Sequence, residues 1–353
     1  MLRLKDWTAA AQVLDEFRRS FPEHELQKEA TKQIAYAYQQ AGQLAQSAGE
    51  YQRVAVESPN PQLRAEALLQ AGDLYVQANN ADRALETYSK YVGEFPKPIE
   101  TAVETRSKIA EICKSKGDQS QYHHQLEEIV RADGAAGSER TDRTRNVAAR
   151  AAFELSEPIY AQYASLKLVQ PFERSLQEKQ RSMDNATQAF GRLVDYQVGE
   201  VTAAATFYMA EIYANFSQAL RESERPADLG AEALKDYEQQ LADAAHPLDE
   251  KAIAVHEKNL ELMRRGLSNA WTQKSLDRLA ALKPDTYARA EISSGFLGSL
   301  ERYVYQPPPR VVEAAVGNPT APEAAPTPAT ASGPADSAVG QTLTAGAGNA
   351  NSH

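Results

Sequence analysis

The sequence predicts an all-α chain in which antiparallel helix pairs stack into a solenoid. Three observations lead there. Ala, Gln, Glu, Leu and Arg are abundant while β-branched residues are sparse, a balance that favours helices. Apolar residues recur at spacings of three, four and seven, the period of a helix with one buried face. The pattern also repeats every 37 residues: Pro22, Pro59 and Pro96, Leu14, Tyr51 and Tyr88, and Ala10, Ser47 and Ala84 keep this interval, as do Tyr38 and Tyr75. A fixed period of this size marks stacked supersecondary units that bury a core only together.

The clearest unit runs from Ala65 to Pro98, AEALLQAGDLYVQANNADRALETYSKYVGEFPKP. Leu68, Ala71, Gly72 and Tyr75 lie on one face of a first helix. Ala84, Tyr88 and Tyr91 lie on one face of a second. Gly72 and Ala84 are small enough for two helices to cross closely, and Tyr75 and Tyr88 fill the space beside them. Asn79-Asn80 supplies the turn and Pro96 ends the second helix. The usual unit of this kind has 34 residues, and the three extra ones here follow the closing proline, as in Asn60-Pro61-Gln62.

The spacing is that of a tetratricopeptide repeat, and residues 1–134 resemble that family over about three and a half units. The resemblance implies a right-handed superhelix whose concave groove holds other proteins. In the first unit Lys5-Asp6-Trp7 occupies the turn and the start of a second helix. Leu2, Leu4, Trp7 and Leu14 are therefore expected to need a cover, from upstream repeats or from a partner. The fourth unit, Thr105 to Asp133, is degenerate, with Ile109-Ala110 and Cys113 on its first helix, Gly117-Asp118 at the turn, and Tyr122 where alanine is preferred. Ala132–Ser138 then breaks the helix.

Residues 135–305 read as divergent hairpins that continue the stack. Pro158 is expected to kink or restart a helix between Glu139 and Leu168. Phe172, Leu176, Met183, Ala186, Phe190 and Leu193 form the apolar stripe of a helix over 171–196. Residues 201–224 form another, and a last pair runs from Leu248 to Leu282, turned at Gly266, anchored by Trp271 and closed by Pro284. Residues 306–353 hold eight of the eighteen prolines and only four charged residues. Such a segment buries too little apolar surface to offset its ordering entropy, so a disordered tail is expected.

Phe21-Pro22, Ser58-Pro59 and Phe95-Pro96 each precede an Ala-rich first helix. This variant resembles the repeats of bacterial cell-envelope proteins. The run PLDEKAIAVHEKN…LSNAWTQKSLDRLAALKP is similar to the end of large envelope repeat proteins associated with TonB/ExbB-type and gliding-motility systems. The resemblance implies that the chain is the C-terminal part of such a protein and works in the periplasm or envelope. A cytosolic adaptor built on the same repeats stays open as an alternative, as does an enzyme with an unrecognised helical site.

The net charge of −10 argues against nucleic acid, whose backbone needs clustered Lys and Arg. No apolar run approaches 18 residues, so no membrane span is expected, and MLRLKDWTAA lacks the features of a signal peptide. The single cysteine, Cys113, reads as a buried thiol. No catalytic, cofactor or metal site is expected. Tyr163 and Lys167 have a Tyr-x-x-x-Lys spacing without the glycine-rich turn that would give it meaning, and read as a helix surface pair. His123-His124 lacks the i, i+4 spacing of helical metal ligands. His256, between Glu250 and Glu257, reads as part of a solvated face.

The groove positions are the residues beside the core stripe of each first helix. They are Glu29, Lys32, Gln33, Tyr36 and Gln40, then Glu66, Leu69, Gln70, Asp73 and Gln77, then Glu104, Lys108, Glu111 and Lys114. Lys32 matches a position of the carboxylate-clamp repeats, but Tyr36, Leu69 and Asp73 replace the rest of that pattern. The expected partner is a protein segment of balanced charge.

Overall fold

Asn79 has a φ of 55°, and its counterparts Gly42 and Gly117 have φ of 73° and 76°. These left-handed residues end one helix and turn the chain into the next. After each, a backbone N–H reaches back five residues: Gln43 to Tyr38, Asn80 to Tyr75 and Asp118 to Cys113, all at 2.9 Å. Asn80 and Asp118 then cap the following helix, accepting from the amides of Arg83 and Gln121. Gly266, with φ 93°, makes the same turn near the far end, where Leu267 N–H reaches Leu262 O at 3.0 Å.

The structure is a computed structural model that describes residues 6–288. Thirteen α-helices occupy the described residues: α1 Trp7–Ser20, α2 Gln27–Gln40, α3 Leu44–Glu57, α4 Pro61–Gln77, α5 Ala81–Glu94, α6 Ile99–Ser115, α7 Gln119–Gly134, α8 Asp142–Ser165, α9 Phe172–Val194, α10 Gly199–Arg221, α11 Ala231–Arg264, α12 Ala270–Leu282 and α13 Pro284–Tyr287. Each packs on the next in sequence, and α6, α8, α10 and α12 also pack directly on one another. The fold is thus all-α and built by stacking neighbours. Leu2, Leu4 and the tail lie outside the described residues.

The extra residues of the repeat lengthen its first helix. Pro61 sits at the first position of α4, with Asn60 capping it, where a missing N–H costs nothing. One continuous core runs from Ala48 on α3 to Ala151 on α8, centred on Leu68, Tyr88, Val103 and Ile129. A second, around Tyr163, Phe190, Val201 and Ile212, joins α8, α9 and α10.

Two prolines lie within continuous helices. Pro158 lies inside α8 and starts no new helix. Pro247 lies inside α11, which begins at Ala231, well before the expected Leu248. Leu241 and Ala245 are buried in the stretch that precedes Pro247. Their packing holds the helix through a residue that forfeits one backbone hydrogen bond.

Candidate interaction surface

Helices α4, α6, α8 and α10 stand side by side, and their polar residues meet across the seams. Asp73 on α4 pairs with Lys108 on α6 at 2.5 Å. Glu104 and Lys114 on α6 pair with Arg143 and Glu154 on α8, the second at 3.0 Å. Arg150 on α8 pairs with Glu200 on α10 at 3.0 Å, and Tyr208 on α10 donates to Glu157 on α8 at 3.0 Å. Each exposed pair contributes little alone. Together they leave a face on which several charges are already matched by a neighbouring helix.

The expected groove residues lie on α2, α4 and α6. Glu29 and Lys32 pair within α2 at 3.7 Å, and Gln33 donates to Glu29 at 2.9 Å. Tyr36 is 45% exposed, and its ring meets Trp7 edge-on at 5.7 Å. Gln40, Glu66, Gln77 and Glu111 are exposed, while Gln70 is half-buried. Leu69 is half-buried against the core. Asp73 accepts the Tyr88 hydroxyl as well as pairing with Lys108. The structure therefore brings Asp73 and Lys108 together, and sets Tyr36 beside α1.

Further along the row, Arg150, Phe153, Glu154, Glu200, Val201, Ala204 and Trp271 line a recess of 320 Å³. Trp271 touches Phe153 at 5.5 Å, Phe207 at 5.6 Å and Tyr208 at 5.5 Å, and carries the Lys274 ammonium 4.0 Å above its ring. Such a cation–π contact holds an indole in one orientation.

Two buried polar clusters correct the sequence reading. His256 is wholly buried, not solvated. One ring nitrogen meets Glu211 Oε1 on α10 and the other Ser275 Oγ on α12, both at 3.2 Å. Asn259 donates to Ser275 at 2.8 Å, and Arg278 to Glu211 at 2.6 Å. Burial pushes the Glu211 carboxyl up, but the hydrogen bonds from His256 and Arg278 outweigh it and hold it below the usual range. A Ser–His–Glu sequence of contacts looks catalytic on paper. Here Ser275 is wholly buried and already accepts from Asn259, so its hydroxyl faces no substrate and the cluster ties α10, α11 and α12 together.

Tyr163 is likewise buried, not a surface partner of Lys167, and donates to Ile212 O at 2.6 Å. Beside it the Lys179 ammonium reaches Tyr163 O, Leu166 O and Asn215 Oδ1 at 3.2, 2.8 and 2.6 Å. Burial pulls this lysine down to about 8. Its three acceptors include carbonyls at the C-terminal end of α8, where the helix dipole favours a cation. Both clusters left a trace in the sequence. Lys179 interrupts the stripe Leu176, Met183, Ala186 and Phe190, and His256 and Asn259 continue the stripe begun by Ala252. A polar residue at a core position was the signal.

Cys113 is buried as expected, and burial raises its thiol. Among the described residues no group of three or more His, Cys, Asp or Glu could hold a metal ion, and no helix is long and apolar enough to cross a membrane.

Residues 66–98, which cover most of α4 and all of α5, match the model of the tetratricopeptide repeat family. That stretch defines the class to which the helix pair belongs. No curated protein matches the sequence. Solved structures similar to the chain include a tetratricopeptide repeat protein from Parabacteroides merdae, at 15% identity over 78% of this chain and 93% of that one, with a TM-score of 0.31. A computationally designed self-assembling cyclic homo-oligomer is similar at 15% identity over 80% and 93%, TM-score 0.24. A circular tandem repeat protein is similar at 12% identity over 81% and 69%, TM-score 0.23.

Proposed function

We propose that this chain is a non-enzymatic scaffold that holds a segment of a partner protein along the row formed by α2, α4 and α6, within a bacterial cell-envelope complex. The observation that carries this is Tyr36, an aromatic ring 45% exposed on a face whose charges pair with one another. Aromatic anchors ringed by polar groups dominate protein interfaces. Because Glu29, Lys32, Asp73 and Lys108 already have partners, a segment of balanced charge suits the face better than a polyanion. The envelope setting rests on the Phe-Pro and Ser-Pro junctions noted above.

Affinity capture with the full chain from the native extract tests the reading. Tyr36→Ala is expected to abolish recovery of the principal partner with little change in melting midpoint, since its ring lies outside the core. Undiminished capture by this variant would overturn the assignment of the face. Fractionation that finds the protein and its partner only in the cytosol would overturn the envelope setting.

A further inference from the structure

A pocket of 370 Å³ lies between the C-terminal end of α8, α9 and α10. Leu166, Leu168, Val169 and Ala219 give it an apolar wall, and Lys179 and Asn215 also line it. Lys179 is 1% exposed, and Asn215 is half-buried. The ammonium sits 4.4 Å over the Tyr163 ring and meets three neutral oxygens, Tyr163 O, Leu166 O and Asn215 Oδ1. Among the described residues no carboxylate pairs with it, and burial alone pulls it down. A buried charge is ordinarily matched by an opposite one. The protein matches this one with dipoles only.

The other charged side chains around the pocket narrow the kind of ligand. Lys167, Glu222 and Glu224 border it. Glu222 accepts from Gln218 Nε2 and Glu224 from the Gln170 amide, both at 2.8 Å. These contacts hold the two carboxylates on partners other than Lys179, and their charge disfavours a doubly charged anion. A single carboxylate on a hydrocarbon body suits both the ammonium and the apolar wall. Asn215 provides the means of exchange, since it is the one side chain among the three acceptors. Turning its amide over puts a donor where the acceptor stood, in nearly the same space. An incoming carboxylate would then accept from Lys179 and Asn215 together.

We propose that this pocket binds a small aliphatic monocarboxylate, whose carboxylate takes the place of Asn215 Oδ1 on Lys179 and whose hydrocarbon body lies against Leu166, Leu168 and Val169. Apolar walls with a few convergent polar groups are the usual form of a ligand site. The site shares no residue with the row formed by α2, α4 and α6, so it stands or falls apart from the scaffold reading.

The probe is hexanoate, titrated calorimetrically into the full chain at pH 7, with hexanol and adipate as neutral and doubly charged counterparts. Hexanoate is expected to bind saturably, and the other two at least tenfold more weakly. Its affinity should fall about tenfold per unit from pH 8 to 10, because the unliganded amine titrates at about 8 and must regain a proton to hold the anion. Lys179→Met should abolish binding. Asn215→Asp sets a carboxylate beside the ammonium in nearly the same shape. It should also abolish binding while keeping the melting midpoint at or above the parent's, and so decides the matter even where the methionine variant fails to fold. Absent hexanoate binding, equal binding of hexanol, or binding that survives Asn215→Asp overturns the inference.

Discussion

Tyr88 lies directly over Gly72, and a Cβ placed on that glycine would come within 2.3 Å of Tyr88 Cε1. The ring is wholly buried, and its hydroxyl goes to Asp73 on the next residue of α4. Neither partner has room to yield. Gly72→Ala is therefore expected to cost ~1–3 kcal/mol by overpacking, although alanine is the better helix former. Urea melts check this, and a midpoint at or above that of the parent would contradict the close crossing.

Lys179 makes a distinctive alkaline signature. Its folded value of about 8 lies below the ordinary 10.5, so between those limits the unfolded chain binds more protons. Stability from this residue therefore rises with pH across that window, by at most about 1.4 kcal/mol per unit for one proton. Cys113 and the buried tyrosines, raised by burial, oppose it as pH climbs through their unfolded values. The difference between the parent and Lys179→Met isolates the lysine. That difference should grow from pH 8 to 10, and a constant offset would show that the ammonium is not desolvated.

The His256 cluster is expected to act as a joint between α10, α11 and α12. His256→Leu removes a partner from both Glu211 and Ser275, which are part-buried and buried. Stranded polar groups cost ~1–3 kcal/mol each. Glu250→Gln, on the exposed side of the same helix, should shift the thermal midpoint little. Equal effects of the two substitutions would refute the joint.

Asp133 pins the turn between α7 and α8. Its buried carboxylate accepts from Arg140 Nε at 2.9 and 3.1 Å and from Thr144 Oγ1 at 2.8 Å. Asp133→Ala leaves the buried Thr144 hydroxyl and the partly exposed Arg140 without their acceptor and should destabilise the chain by ~1–3 kcal/mol. Faster proteolysis at 135–141 should accompany the loss. An unchanged cleavage rate would mean the turn is held by other contacts.

The repeat pairs were legible because their information is local. Gly72, Tyr75, Ala84 and Tyr88 announce a close crossing by size and spacing alone, and Asn79-Asn80 and Gly117-Asp118 announce turns by backbone preference. Gly42, which makes the same turn, is legible by the same rule. Of the candidate face, the sequence placed the residues beside the core stripe of each first helix. It could not say that Asp73 would be held by Tyr88 and Lys108, since those partners lie 15 and 35 positions away.

What the sequence alone determined is the all-α stack and its period, because each unit buries its stripe against the next and the stripe is written at helical spacing. Only the tertiary structure decided the fate of Pro158, Pro247, His256 and Lys179. A proline or a polar residue at a helical position is tolerated or excluded according to what other helices bring to it. Ile212 O and Asn215 reach Tyr163 and Lys179 from α10, and Glu211 and Ser275 reach His256 from two different helices. Desolvation is repaid only by partners at hydrogen-bonding distance, and that distance is a property of the packed helices, not of the chain that encodes them.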